Sequence, residues 1–123
     1  MAVLTGAGVG GCEAHVLFAA TEDVDTAVLR DKRGWSAAEW AAATDRIRER
    51  GLVKPSTERA TSAGRALRDH VEQRTDELAL QLYRALSDEE VRRLLELAAA
   101  VARPIVTSET IPFPNPMGLP RPG

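Results

Sequence analysis

The stretch Trp35-Ser-Ala-Ala-Glu-Trp-Ala-Ala-Ala-Thr-Asp-Arg-Ile-Arg-Glu-Arg-Gly-Leu-Val53 decides the fold. Ser36 and Glu39 form a capping box, in which the serine oxygen and the glutamate carboxylate each satisfy a backbone N–H that the first helical turn leaves free. Trp40, Ala43 and Ile47 then recur at spacings of three and four, the apolar stripe of a helix, and Gly51 supplies the left-handed stop after it. The reading is a helix over 36–50 followed by a very short extended segment, Leu52-Val53.

Upstream, Val24, Ala27 and Val28 follow Asp23 at helical spacing and predict a helix over 24–33 capped by Asp23 and ended by Gly34. A further short apolar helix is expected over 12–21. Residues 1–11 hold four of the nine glycines and read as a flexible leader. Downstream, Lys54-Pro-Ser-Thr-Glu-Arg59 is a polar bend with a proline, so 12–61 reads as three helices and a stunted hairpin. Leu67, Val71, Leu78 and Leu82 then predict a long helix over 62–86. Ser87-Asp-Glu-Glu90 is a second capping box opening a helix over 88–103, with Val91, Leu94, Leu95, Ala98 and Val101 inward and Pro104 as its stop. Residues 104–123 form a Pro-rich tail whose stretch 111–123 holds five of the seven prolines and reads as extended chain, either a strap over the protein's own apolar surface through Phe113 and Met117 or a docking peptide. Trp40, Ile47, Leu52, Leu67, Val71, Leu94, Leu95 and Val101 are the expected core. The fold class is mainly α: a winged helix-turn-helix with a very short β wing and two long C-terminal helices.

Charge is placed unevenly in this chain of net charge −2. Residues 1–29 carry four acids and no base, whereas residues 30–59 carry eight bases against five acids, a local excess of +3. Such an excess in an acidic protein marks either a phosphate-facing surface or an ordinary salt-bridged helix surface. Five aromatic residues in 123 leave little material for sheets.

Several function classes lack their residues. Cys12 is the sole cysteine, so no internal disulfide forms, and Cys12 with His15 and His70 falls short of a zinc ligand set. A reactive Cys12 at a positive helix terminus is the alternative to a packed one, and His70 reads as a surface residue. Trp35 and Trp40, five apart, read as core. Gly6, Gly8, Gly10 and Gly11 precede no strand-turn-helix context that would bind nucleotide. The adjacent acids Asp76-Glu77 and Glu89-Glu90 point in different directions, which disfavours acid/base chemistry. No enzyme, cofactor or metal is therefore expected. No run approaches the roughly 20 apolar residues of a membrane span, and no base precedes the apolar N-terminal stretch as a secretory signal requires; the expected location is the cytoplasm.

The motifs Asp45-Arg46-Ile47, Arg50-Gly51-Leu52-Val53, Thr61-Ser-Ala-Gly64 and Leu86-Ser-Asp-Glu-Glu90 together resemble MarR-type winged helix-turn-helix proteins, over roughly residues 12–103. The ending Phe113 to Pro120 is similar to that of an actinobacterial helix-turn-helix family whose members carry a further helical half upstream, so the chain resembles the C-terminal portion of that architecture or a short member. The resemblance implies a DNA-binding, transcription-regulator-like homodimer, joined through 62–103, with 36–50 as recognition helix. The expected DNA-facing residues are Lys32, Arg33, Ser36, Ala37, Glu39, Arg46, Lys54 and Arg59. Two departures point to weak base reading. The first turns of the recognition helix offer Ala37, Ala38, Glu39, Ala41 and Ala42 where polar side chains read bases; and the family's Asp-x-Arg at the wing tip is missing, with Glu58-Arg59 nearest to it. A winged helix that has lost DNA binding and serves as a protein-interaction or ligand-binding module is the alternative.

Overall fold

The computed structural model describes residues 2–22 and 24–111. Among them are six helices: α1 (Ala2–Gly6), α2 (Gly11–Thr21), α3 (Thr26–Lys32), α4 (Ala37–Glu49), α5 (Ser62–Tyr83) and α6 (Asp88–Thr107). The chain divides into two compact units, Met1–Asp76 and Glu77–Gly123.

In the first unit α2 is apolar nearly all round, because it is buried on two sides. Leu17 and Ala20 join Ile47, Leu52, Val53 and Ala60 in one cluster, against which Leu67 packs. Cys12 and Val16 join Leu29, Trp40 and Ala43 in another, with Trp35 and Phe18 at its margin. Trp40, Ile47 and Leu52 are thus buried as expected. Leu67 and Val71 are half-buried. Arg68 holds α5 to α2, its guanidinium 4.7 Å from the centre of the Phe18 ring and 3.4 Å from Glu22.

The two helix stops use one device. At Gly34 (φ 73°) the Trp35 N–H donates to the Arg30 carbonyl and the Gly34 N–H to that of Asp31. At Gly51 (φ 71°) Leu52 donates to Ile47 and Gly51 to Arg48 in the same pattern. Each is a Schellman closure, which needs a residue at positive φ, where glycine carries no Cβ penalty.

The structure corrects four expectations in this part of the chain. The leader is not without order, since it carries α1 and buries Val9. Asp25, not Asp23, caps α3, its carboxylate accepting from the Val28 N–H at 3.0 Å, so that helix starts at Thr26. The β wing is reduced to one antiparallel bridge, Val53 with Ala60, and no strand is found among the described residues. Finally, α6 does not stop before Pro104 but runs to Thr107, because the Pro104 carbonyl still accepts from the Ser108 N–H at 2.9 Å and closes the last turn.

The bend is tied down from both sides. Ala60 N–H donates to the Ala20 carbonyl of α2, and Thr61 Oγ1 donates to Gly51 O while accepting from Gly64 N–H. Gly64 is where α5 presses on the bend: a Cβ there would lie 2.1 Å from the Leu52 carbonyl oxygen.

The second unit contains the end of α5 and all of α6. Ser87 and Glu90 form the expected capping box. Leu94, Leu95 and Val101, expected in the core, are 44%, 64% and 66% exposed instead. Their periodicity marks an apolar face correctly, but a stripe is buried only where something covers it, and among the described residues nothing covers this one. The tail expectation for 112–123, including Phe113 and Met117, lies outside the described residues.

Candidate nucleic-acid interface

The helix-turn-helix unit is α3, the turn 33–36 and α4. Its geometry follows from the Gly34 closure at one end of the turn and the Ser36 cap at the other. Ser36 Oγ accepts from Glu39 N–H, and the Glu39 carboxylate accepts from the Ser36 N–H at 2.9 Å and the Ser36 hydroxyl at 2.6 Å. These bonds hold the Glu39 carboxyl below the usual carboxylate range, the serine hydroxyl contributing most. Both predicted site residues are therefore spent on shaping the start of α4, and Glu39 stays ionised there.

Trp40, Ala43, Thr44 and Ile47 point inward from α4. The helical period sets Ala38, Ala41, Ala42, Asp45 and Glu49 on the opposite, exposed face, with Ala37 at its N-terminal edge. That face holds two carboxylates and no base. The helix arginines Arg46 and Arg48 and the C-cap Arg50 all bond within the protein. Arg46 Nε donates to Glu13 of α2 at 2.5 Å, Arg48 pairs with Asp45 at 2.6 Å, and Arg50 donates to the carbonyls of Gly8 and Ala7 at 2.8 and 3.1 Å. Arg46 thus joins α4 to α2.

The remaining predicted bases flank α4. Lys32 is exposed in the last turn of α3, where the helix dipole favours a cation, and Arg33 is the residue that caps it. Lys54 and Arg59 lie opposite each other across the bend, the Lys54 N–H donating to the Arg59 carbonyl at 2.8 Å. Arg59 also reaches the Glu22 carbonyl just past the end of α2. Arg46 is anchored at Glu13, in the first turn of that helix, so the two arginines are held at opposite ends of α2. The structure brings Ser36 together with Glu39, and Lys54 with Arg59; it does not bring Arg46 together with Arg59.

Two working residues lie outside the expected set. Glu13 is buried and accepts from the Gly10 N–H at 2.9 Å as well as from Arg46, with Arg50 4.0 Å away. The Arg46 hydrogen bond does most to hold its carboxyl below the usual range. His15 is the other, its Nδ1 accepting from the Trp35 indole N–H at 3.0 Å. Nothing local in the sequence announces either pair, which are separated by 33 and 20 residues. Cys12 is not an activated thiol: burial, and then Glu39, push it up, and its S–H points to the Glu39 carbonyl. A cavity of about 30 Å³ between Val16, Trp40, Thr44 and Glu58 has room for one water and no organic ligand.

A family model described as a helix-turn-helix family matches residues 1–112. No curated protein and no solved structure matches the chain. No described helix is long and apolar enough to cross a membrane.

Proposed function

We propose that this chain, which belongs to that helix-turn-helix family, is a DNA-binding, transcription-regulator-like module of the MarR-type winged kind, acting in the cytoplasm as a homodimer and reading bases weakly. The observation that carries the reading is the closed α3-turn-α4 unit, whose exposed helix is flanked by Lys32 and Arg33 on one element and Lys54 and Arg59 on another. Cations on the flanks favour phosphates, which supply affinity without sequence information. Alanines and carboxylates on the helix face supply no donors for guanine or adenine edges. The homodimer rests on the apolar side chains of the second unit, with Leu82 80% and Val101 66% exposed.

Fluorescence anisotropy against duplexes of differing sequence, at two salt concentrations, tests the reading. Four phosphate contacts per subunit give a slope of log affinity on log salt of about −3 to −4 for each subunit engaged, nearly the same on all sequences. Lys54→Ala should weaken binding uniformly. Glu39→Gln should strengthen it, because glutamine preserves the capping box while removing a charge near the phosphates. Absence of binding to any duplex at low salt, unrescued by Glu39→Gln, overturns DNA binding. The second reading, a protein-interaction module, would then take its place; Asp45 and Glu49 on the outward face of α4 favour it.

A further inference from the structure

Trp35 stands at the centre of the helix-turn-helix turn, between Gly34, which closes α3 at positive φ, and Ser36, which caps α4. Its side chain reaches back to α2. The indole Nε1–H donates to Nδ1 of His15 at 3.0 Å, with the ring centres 6.1 Å apart. The ring lies beside Gly11, where a Cβ would make ordinary van der Waals contact with it at 3.7 Å. One tryptophan therefore fastens the turn to the helix behind it, and its polar bond ends on a titratable nitrogen.

We infer that His15 and Trp35 form a proton-released latch, in which protonation of His15 detaches the indole and loosens the turn that sets α4. The chemistry is that of imidazole. A ring nitrogen accepts a hydrogen bond only while it carries no proton, so the bond requires neutral His15 with its hydrogen on Nε2. The imidazolium has N–H at both positions, and an Nδ1–H facing the indole N–H repels it. The indole must then swing away or lose its partner in a half-buried place.

The surroundings favour the neutral, latched form. Burial, and then the Arg33 guanidinium at the end of α3, push the His15 imidazolium down from its usual range. Arg33 is the charged group of α3 and its turn that bears on the ring. On α2 the neighbouring titratable groups are Cys12 and Glu13, engaged with the Glu39 carbonyl and with Arg46 respectively; on α4, Glu39 is held by Ser36. Because the folded chain binds the proton less readily than the unfolded one, the latch is fully stabilising above the ordinary histidine range and is lost as pH falls through the lowered folded value. The device does not depend on whether α4 docks on DNA.

NMR on the full chain, with ¹⁵N-labelled histidine and tryptophan, tests it. At pH 7.5 the His15 ring nitrogens should report the Nε2–H tautomer. On acidification the Trp35 indole N–H resonance should shift with the same midpoint as the His15 ring, and the amides of Gly34 and Trp35 should lose exchange protection, relative to the intrinsic rate at each pH, below it. Trp35→Phe, which keeps a ring against Gly11 but has no donor, should move the His15 midpoint upward. An Nδ1–H tautomer, or an indole resonance flat through the His15 titration, overturns the latch. So does an unchanged midpoint in a folded Trp35→Phe, and the first two readouts decide even where that variant does not fold.

Discussion

At the scale of single residues, Gly64 and Glu13 set conditions that their neighbours in sequence do not reveal. Glycine inside a helix ordinarily costs up to about 1 kcal/mol relative to alanine, so Gly64→Ala read from propensity alone should stabilise α5. The Leu52 carbonyl oxygen, 2.1 Å from where the Cβ would stand, reverses the sign, because a backbone carbonyl cannot step aside as a flexible side chain can. Gly64→Ala is expected to lower stability by about 2 kcal/mol or more, measured by urea unfolding. Glu13 makes a different prediction. Its carboxyl is held below its ordinary range, chiefly by Arg46, so the unfolded chain binds its proton more readily than the folded one. Stability from Glu13 is therefore present above the ordinary glutamate range and lost as pH falls through the lowered folded value. Glu13→Gln should cost about 2 kcal/mol near neutrality, and its unfolding midpoint should converge on that of the unaltered chain in acid.

At the scale of elements, the ends of helices were legible wherever a cap is a local contact. Ser36 with Glu39 and Ser87 with Glu90 are boxes three residues wide, and both form as their spacing predicts. Gly34 and Gly51 stop their helices for the same local reason. Legibility failed where two local options compete. Asp23 and Asp25 are both acceptable caps by residue type, and in the fold Asp25 caps the helix that buries Leu29. Pro104 reads as a stop, yet a proline in the last turn removes one N–H and leaves the carbonyls free to accept, so α6 continues. Pro104→Ala should accordingly raise helix content little while stabilising α6, by up to about 3 kcal/mol. Circular dichroism through thermal unfolding measures both, and a fall in stability would show that the proline's shape is needed.

At the scale of the whole molecule, the two units contrast in how far one chain satisfies its own apolar residues. The first unit buries Ile47 and Val53 almost fully. The second leaves Leu82, Leu95 and Val101 largely open, although α6 carries a strongly one-sided apolar pattern. If a second copy covers that pattern, sedimentation should give about twice 13.3 kDa, and the pair Leu95→Glu with Val101→Glu should halve the mass without loss of helix, because neither side chain supports the fold of its own chain. A monomer of the unaltered protein at micromolar concentration removes the homodimer from the proposed function.

The sequence by itself determined the helical class, the rough position of α2 to α6, the capping boxes of α4 and α6 and the glycines that end α3 and α4, because each depends on residues within one or two turns of each other. It also showed where the bases lie along the chain. Only the tertiary structure decided what those charges do. Arg46, Arg48 and Arg50 look like three cations on a recognition helix, but Glu13 and the Gly8 carbonyl draw Arg46 and Arg50 toward the protein, and Arg48 pairs with Asp45 of its own helix. The reason is that a side chain bonds to the nearest partner in space. Glu13 comes within reach of Arg46, and His15 within reach of Trp35, only after α2 and α4 have packed.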